Sequence, residues 1–169
     1  MSGDDDTNKP YGWQLRVLEI INAPVDPRAV HWFCEPFGNV GKTALCKWLV
    51  RNRYDDVMYF NNTCFTPRLC KWLRHSDMPK CILLDLSPGT ENIDYAAIAH
   101  VKDGFVCNDD NFVNTFIDSP HVIVFATREP NIDALSVDRW HCYDIRELME
   151  ETDAYEEVSL EKVSKKCSV

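Results

Sequence analysis

Between two apolar stretches the chain reads Glu35-Pro-Phe-Gly-Asn-Val-Gly-Lys-Thr43, and this run constrains the fold more than any other. It carries the marks of a phosphate-binding loop: glycines let successive backbone N–H groups turn inward, a lysine neutralises the outer phosphates and a hydroxyl ligates Mg²⁺. The candidate ATP ligands are therefore Gly38, Asn39, Val40, Gly41, Lys42 and Thr43, with Mg²⁺ on Thr43. The usual G-x-x-x-x-G-K-[ST] spacing would place glycine at Pro36, a misfit for which Gly38 partly compensates. Val30-His-Trp-Phe-Cys34 reads as a short buried strand. Thr43 to Val50 reads as a helix with apolar positions at Ala44, Leu45, Trp48 and Leu49. Strand, loop, helix is the order such a site needs, because the helix N-terminus then aims its unpaired N–H groups and positive dipole end at the phosphates. The plain alternative is a chance G-x-x-G-K-T in an ordinary turn, so other segments must decide.

A phosphate loop that hydrolyses its nucleotide needs a carboxylate for Mg²⁺ at the end of a buried strand. Cys81-Ile-Leu-Leu-Asp85 supplies one. Its unbroken apolar run suits a strand covered on both faces, as in parallel sheets, and Asp85 falls at the C-terminal edge where open α/β sheets bind ligands. The other role open to Asp85 is capping the turn marked by Ser87-Pro-Gly89. His121-Val-Ile-Val-Phe-Ala-Thr127 is a second buried strand ended by Arg128-Glu-Pro130. Thr127 at its tip could touch the γ-phosphate or orient the attacking water. Further on, Arg139 in Leu135-Ser-Val-Asp-Arg-Trp140 could stabilise transition-state charge, in its own or a neighbouring subunit. On residue chemistry alone, a salt bridge with Asp138 plus packing of Trp140 is the simpler role for it.

Taken in order, these segments resemble the superfamily 3 helicase domain of replication-associated (Rep) proteins from circular single-stranded DNA viruses and their integrated relatives. The resemblance runs from about Trp13 to Ile145. It rests on Val30 to Thr43, which matches the family's apolar strand and G-N-x-G-K-[ST] loop with proline in the same place. Leu83-Leu-Asp-Leu86, Ile93-Asp-Tyr95, Val101-Lys-Asp-Gly104, Pro120 to Ala126 and Leu135 to Trp140 continue the match. The resemblance implies an α/β fold, specifically a P-loop AAA+-like three-layer domain with a mostly parallel central sheet. It further implies a hexameric homo-oligomer when active, coupling ATP hydrolysis to movement along single-stranded DNA or RNA. Lys42 and Thr43 would bind phosphate and Mg²⁺, Asp85 would be the metal-binding acid, Thr127 would hold the sensor position and Arg139 would be the trans-acting finger.

Several positions depart from the family. The sensor is usually asparagine, whose amide can bond phosphate and water together; Thr127 has only a hydroxyl. After Gly104, where a lysine and an aromatic belong to a DNA-contacting hairpin, the chain reads Phe105-Val-Cys-Asn-Asp-Asp-Asn-Phe112, and Asp109 and Asp110 would repel phosphates. Ala99 and Pro88 replace a common glutamate and arginine. Asp85 is followed by Leu86 rather than a second acid, which leaves Glu91 or a residue from elsewhere in the chain as candidates for the catalytic base. The family's endonuclease domain uses a His-x-His pair and a tyrosine. The chain contains no His-x-His, so nicking and joining are not expected of it, and it reads as a separate helicase segment, a spliced product or a truncated copy.

A length of 169 residues, 45% of them hydrophobic, fits one domain. Residues 1–10 read as an acidic disordered tail, 11–145 as the ATPase domain and 146–169 as a C-terminal helix and tail. Tyr11 to Asn22 reads as a helix with Trp13, Val17, Ile20 and Ile21 on one core-facing side. Val57 to Phe60 reads as a strand and Phe65 to Leu73 as a helix. Arg68, Lys71, Trp72, Arg74 and His75 could follow a nucleic-acid backbone, although a solvated helix face is the simpler reading. The net charge of −9 weighs against a stand-alone nucleic-acid binder. None of the eight cysteines forms C-x-x-C, and Cys34, Cys46 and Cys81 lie in apolar runs, so free buried thiols in an intracellular compartment, host nucleus or cytoplasm, are expected. No apolar run is long enough to span a membrane. Two other functions stay open: a degenerate ATP-binding assembly module without turnover, and a small P-loop kinase, which would need a basic lid that is not visible.

Overall fold

A computed structural model of the protein describes residues 10, 12–61, 79–86, 88–89, 92–108 and 113–151. The expected helix at Phe65 to Leu73 with its basic cluster, Ser87, Glu91, Asp109, Asp110 and most of both tails lie outside these residues.

The described chain runs α1 (Trp13–Asn22), β1 (Val30–Cys34), α2 (Lys42–Asn52), β2 (Val57–Asn61), β3 (Cys81–Asp85), α3 (Tyr95–Lys102), β4 (Phe105–Asn108), β5 (Val113–Phe116), β6 (His121–Ala126) and β7 (Trp140–Asp144). Residues 145–151 form a further helical segment. Strands β2-β3-β6-β1-β7 make one five-stranded sheet in that spatial order, and every pairing within it is parallel. Strands β4 and β5 form a separate antiparallel hairpin. This is the three-layer α/β architecture expected from the sequence.

The layers follow from the patterning. Strands β3 and β6 are buried at nearly every position, so both faces need cover. On one face Trp13, Val17, Ile20 and Ile21 of α1 and Leu45, Cys46 and Leu49 of α2 pack on Phe33, Leu83, Ile123 and Phe125. On the other, Ala97, Ile98 and Val101 of α3 pack on Trp32, Ile82, Leu84, Val122 and Val124. Each fully buried aliphatic or aromatic side chain contributes about 1.5–3 kcal/mol, which is why the alternation along β1 decides which residue meets which helix layer. Helix α1 exposes Arg16 and Glu19, paired at 2.9 Å, and ends where the backbone turns extended at Ala23 before Pro24. Helix α3 was not read from the sequence; it starts on Asp94, whose carboxylate accepts the Ala97 N–H at 2.9 Å.

Register aligns the strand ends. Cys34 stands opposite Ala126 and Asp144, and Asp85 opposite Phe125 and Asn61. From β1 the chain crosses to β2 at one rim, whereas from β6 it crosses β1 to reach β7 at the other. The strand order thus reverses around β1, and the crevice beyond its C-terminal end is where such sheets bind ligands. Among the described residues no helix is long and apolar enough to cross a membrane.

Candidate phosphate-binding site

Beyond Cys34 the chain continues the β6 pairing for one residue, with Glu35 N–H donating to Ala126 O at 3.0 Å, and then turns away. The turn needs left-handed backbone at Gly38 (φ 83°), Asn39 (φ 62°) and Gly41 (φ 86°). Asparagine is among the few side-chain-bearing residues that tolerate this region. Gly41 is restricted twice, because a Cβ there would also lie 2.9 Å from Gln14 Nε2. At Gly38 the added atom would meet nothing, so only the dihedral angle asks for glycine.

Two side chains of α1 orient the second half of the loop. Trp13 Nε1 donates to Val40 O at 2.9 Å, and Gln14 Nε2 donates to Gly41 O at 3.1 Å. With those carbonyls drawn toward α1, the main-chain N–H groups of Asn39, Val40, Gly41, Lys42 and Thr43 are left without a protein acceptor among the described residues. They surround the start of α2, where the helix dipole adds positive potential. Lys42 Nζ reaches back to Glu35 O at 3.2 Å and Ala126 O at 3.3 Å and makes no ion pair with a described residue. Thr43 is exposed.

The first half of the loop is held by charge. Glu35 is 0% exposed, and its carboxylate accepts from Phe37 N–H at 2.9 Å, from Gly38 N–H and from Arg146 Nε at 2.8 Å. Burial works to raise the Glu35 pKa, but the Arg146 hydrogen bond and the two amides outweigh it and keep the carboxyl below its ordinary range. The Arg146 guanidinium also lies over the exposed Phe37 ring, 5.2 Å from its centroid.

Asp85 ends β3 on the same edge of the sheet as the loop and accepts the Tyr59 hydroxyl at 2.8 Å. Burial, and then this bond, push the Tyr59 pKa up, so the phenol stays protonated as the donor. Strand β6 ends at Ala126, one residue short of the expected tip, and Thr127 follows the carbonyl that Lys42 touches. The fold therefore gathers Gly38 to Thr43, Asp85 and Thr127 at one end of the sheet.

Arg139 is not with them. It precedes β7, at the N-terminal edge, and is only 6% exposed. The expected bridge to Asp138 does not form, because Asp138 turns outward and pairs with Arg28 at 2.9 Å. Arg139 instead pairs with Asp103 just beyond α3, and its Nη1 is buried without a hydrogen-bond partner among the described residues. Sequence separation hid this: Asp103 lies 36 positions away. Trp140 does pack, edge-on to Trp32 and Tyr95.

Reading the sequence also missed Trp13, Gln14, Glu35, Tyr59 and Arg146 as parts of the site. Gln14 carried a signal, a buried polar residue beside the apolar stripe of α1. Arg146 carried none. Of the described cysteines, Cys46 and Cys81 are buried free thiols as expected, whereas Cys34 is half-buried and Cys142 exposed. No cluster of three or more metal-ligating side chains occurs among the described residues.

No protein-family model matches the chain. It is 28% identical over 139 residues to Para-Rep C10 of the Milk vetch dwarf C10 alphasatellite, and 27% identical over 139 residues to Para-Rep C7 of the Faba bean necrotic yellows C7 alphasatellite. Each alignment takes in 75% of this chain and 45% of the relative, so the chain spans less than half the length of the curated relatives it matches. These similarities support a Rep-related chain of viral type.

Proposed function

We propose that this chain is an ATP-binding and ATP-hydrolysing P-loop domain of the superfamily 3 helicase type, acting on single-stranded nucleic acid in viral-type DNA replication. The observation that carries the reading is the row of N–H groups from Asn39 to Thr43, without protein acceptors among the described residues and adjoining the Lys42 ammonium. Donors in this arrangement fit a chain of phosphate oxygens, and the two weak carbonyl contacts of Lys42 can be exchanged for charge-assisted bonds to them.

Thr43 and Asp85 would hold Mg²⁺, a hard cation that takes oxygen ligands and keeps several waters, so one hydroxyl and one carboxylate suffice on the protein side. When bound, the ion supplies charge neutralisation at the phosphates. Tyr59 orients the Asp85 carboxylate through its hydroxyl. Trp13 and Gln14 keep the loop carbonyls away from an anion, and the Glu35–Arg146 pair braces the loop from below. Thr127 would contact the terminal phosphate or the attacking water. Arg139 could serve a neighbouring subunit only by giving up Asp103. The expected hexamer and intracellular location belong to the same proposal.

A second reading, ATP binding without turnover, is favoured by the hydroxyl in place of an amide at Thr127. The deciding experiment is steady-state ATPase activity of the chain and of Lys42→Ala, with and without single-stranded DNA and RNA, across protein concentration. Lysine-dependent turnover that rises with concentration and nucleic acid is expected. Binding without turnover would select the second reading, and no binding would overturn both.

A further inference from the structure

A cavity of about 380 Å³ runs along α2 from Thr43 at the end of the phosphate loop, lined also by Cys46, Lys47, Val50 and Arg51 and by Tyr59 of β2. Its size suits one small ligand, since such pockets span roughly 300–1,000 Å³. The α2 residues recur at spacings of three and four and so form one stripe. Among the described residues strand β2 is the rim of the sheet, and Lys47, Val50 and Arg51 of the stripe are exposed.

The lining has two chemistries. Cys46 and Val50 are apolar, and Tyr59 has its hydroxyl committed to Asp85 and is left with its ring to offer. Lys47 and Arg51 are exposed and take part in no ion pair or side-chain hydrogen bond with described residues. That is unusual in this acidic chain. Arg16, Arg28, Arg53, Lys80, Arg139 and Arg146 are all paired with carboxylates. Lys42 and Lys102 are held by carbonyls. Arg51, in the last turn of α2, gains from the helix dipole, but Lys47, one turn earlier, has no such compensation.

An apolar slot with an aromatic wall and two uncommitted cations at its mouth has the complementarity of a nucleotide, which joins a flat ring to a phosphate. We propose that this cavity binds one nucleotide unit, ring against Val50 and Tyr59 and phosphate between Lys47 and Arg51, at a site that adjoins the phosphate loop at Thr43 and does not use Lys42. The unit is either a free mononucleotide or one residue of a single strand. The site does not depend on the ATPase reading.

The test is calorimetric titration of the full chain at low salt with thymidine monophosphate and with a short oligothymidylate, for the parent and three variants. Val50→Trp fills the slot while keeping both cations, and because Val50 is surface-exposed the fold should tolerate it; Val50→Phe is the substitute if it does not. It should weaken binding about tenfold or more, the loss of one ring contact. Lys47→Glu with Arg51→Glu should do the same and flatten the salt dependence. Lys42→Ala should leave binding unchanged. Binding of the monophosphate assigns the free nucleotide as source, whereas binding of the oligonucleotide alone, still sensitive to Val50→Trp, assigns the strand. The proposal is overturned if the folded Val50 variant binds as the parent does, since surface charge alone would then explain the affinity. Loss of binding in Lys42→Ala, or no binding of either probe, overturns it equally.

Discussion

Lys42 and Lys102 each hold two main-chain carbonyls at the end of a strand, yet they stand at opposite edges of the sheet and serve different ends. Lys102, 1% exposed, closes α3 against Asp26 O at 2.7 Å and Pro120 O at 2.8 Å. Lys42 is half-buried and makes longer contacts, 3.2 and 3.3 Å, beside loop amides that have no protein acceptor among the described residues. Around Lys102 most polar groups are paired within the protein: His121 bonds Ala23 O at 3.0 Å, Arg139 pairs with Asp103 through one of its two Nη atoms, and Arg28 with Asp138. Satisfied cations are structural, and a cation with poor contacts next to unused donors is poised for a ligand.

The sharpest way to break this comparison is to remove each lysine in turn. Lys102→Ala strands one buried and one partly buried carbonyl and opens a void, for an expected loss of about 3 kcal/mol in urea unfolding. Lys42→Ala should change stability by under about 0.5 kcal/mol but weaken ATP roughly ten- to hundredfold in calorimetry. A reversal of these effects would refute the division. Next in size is Gly41→Ala, expected to cost about 2 kcal/mol because strain and the Gln14 contact combine, against about 1 kcal/mol for Gly38→Ala, where only the dihedral is strained. Equal losses would mean that Gln14 moves aside freely.

Burial pushes the Lys102 pKa down to about 8, against an ordinary value of 10.5. Between those values the unfolded chain holds the proton and the folded chain does not, so stability should rise with pH across that window. The neutral amine still has two N–H donors for its two carbonyls. Lys102→Met should remove this rise in the urea midpoint, while Lys42→Met should leave it. The smallest expected effect is that of Gln14→Leu, about 1 kcal/mol for one hydrogen bond, with a measurable weakening of ATP binding as the Gly41 carbonyl is released. Unchanged affinity would confine Gln14 to packing.

Most of the sheet was legible in the residues. The apolar runs of β1, β3 and β6 and the stripe of α1 are local patterns whose period reports burial. Strand β7 was not legible, because its Trp-His-Cys-Tyr-Asp run lacks that pattern and lies half-exposed at the sheet rim. Within the candidate site, Gly41, Lys42 and Thr43 stood out because a phosphate loop is local, one turn and one helix start. Trp13 and Gln14 each sit 27 positions from their partners Val40 and Gly41, and Glu35 is separated from Arg146 by 111. No local pattern reports such pairs.

What the sequence determined by itself is the set of short-range features: the strands and helices that carry a clear hydrophobic period, and where a glycine-rich turn joins them, since dihedral freedom and hydrophobic period act over a few residues. The tertiary structure alone decided which polar groups are consumed by the protein and which are left over. It gave Arg139 to Asp103 rather than Asp138, set Lys102 deep between two carbonyls, and left Lys47 and Arg51 without partners among the described residues. Those outcomes depend on which distant atoms the packing brings within about 3 Å, and hydrogen bonds and ion pairs are decided at that range.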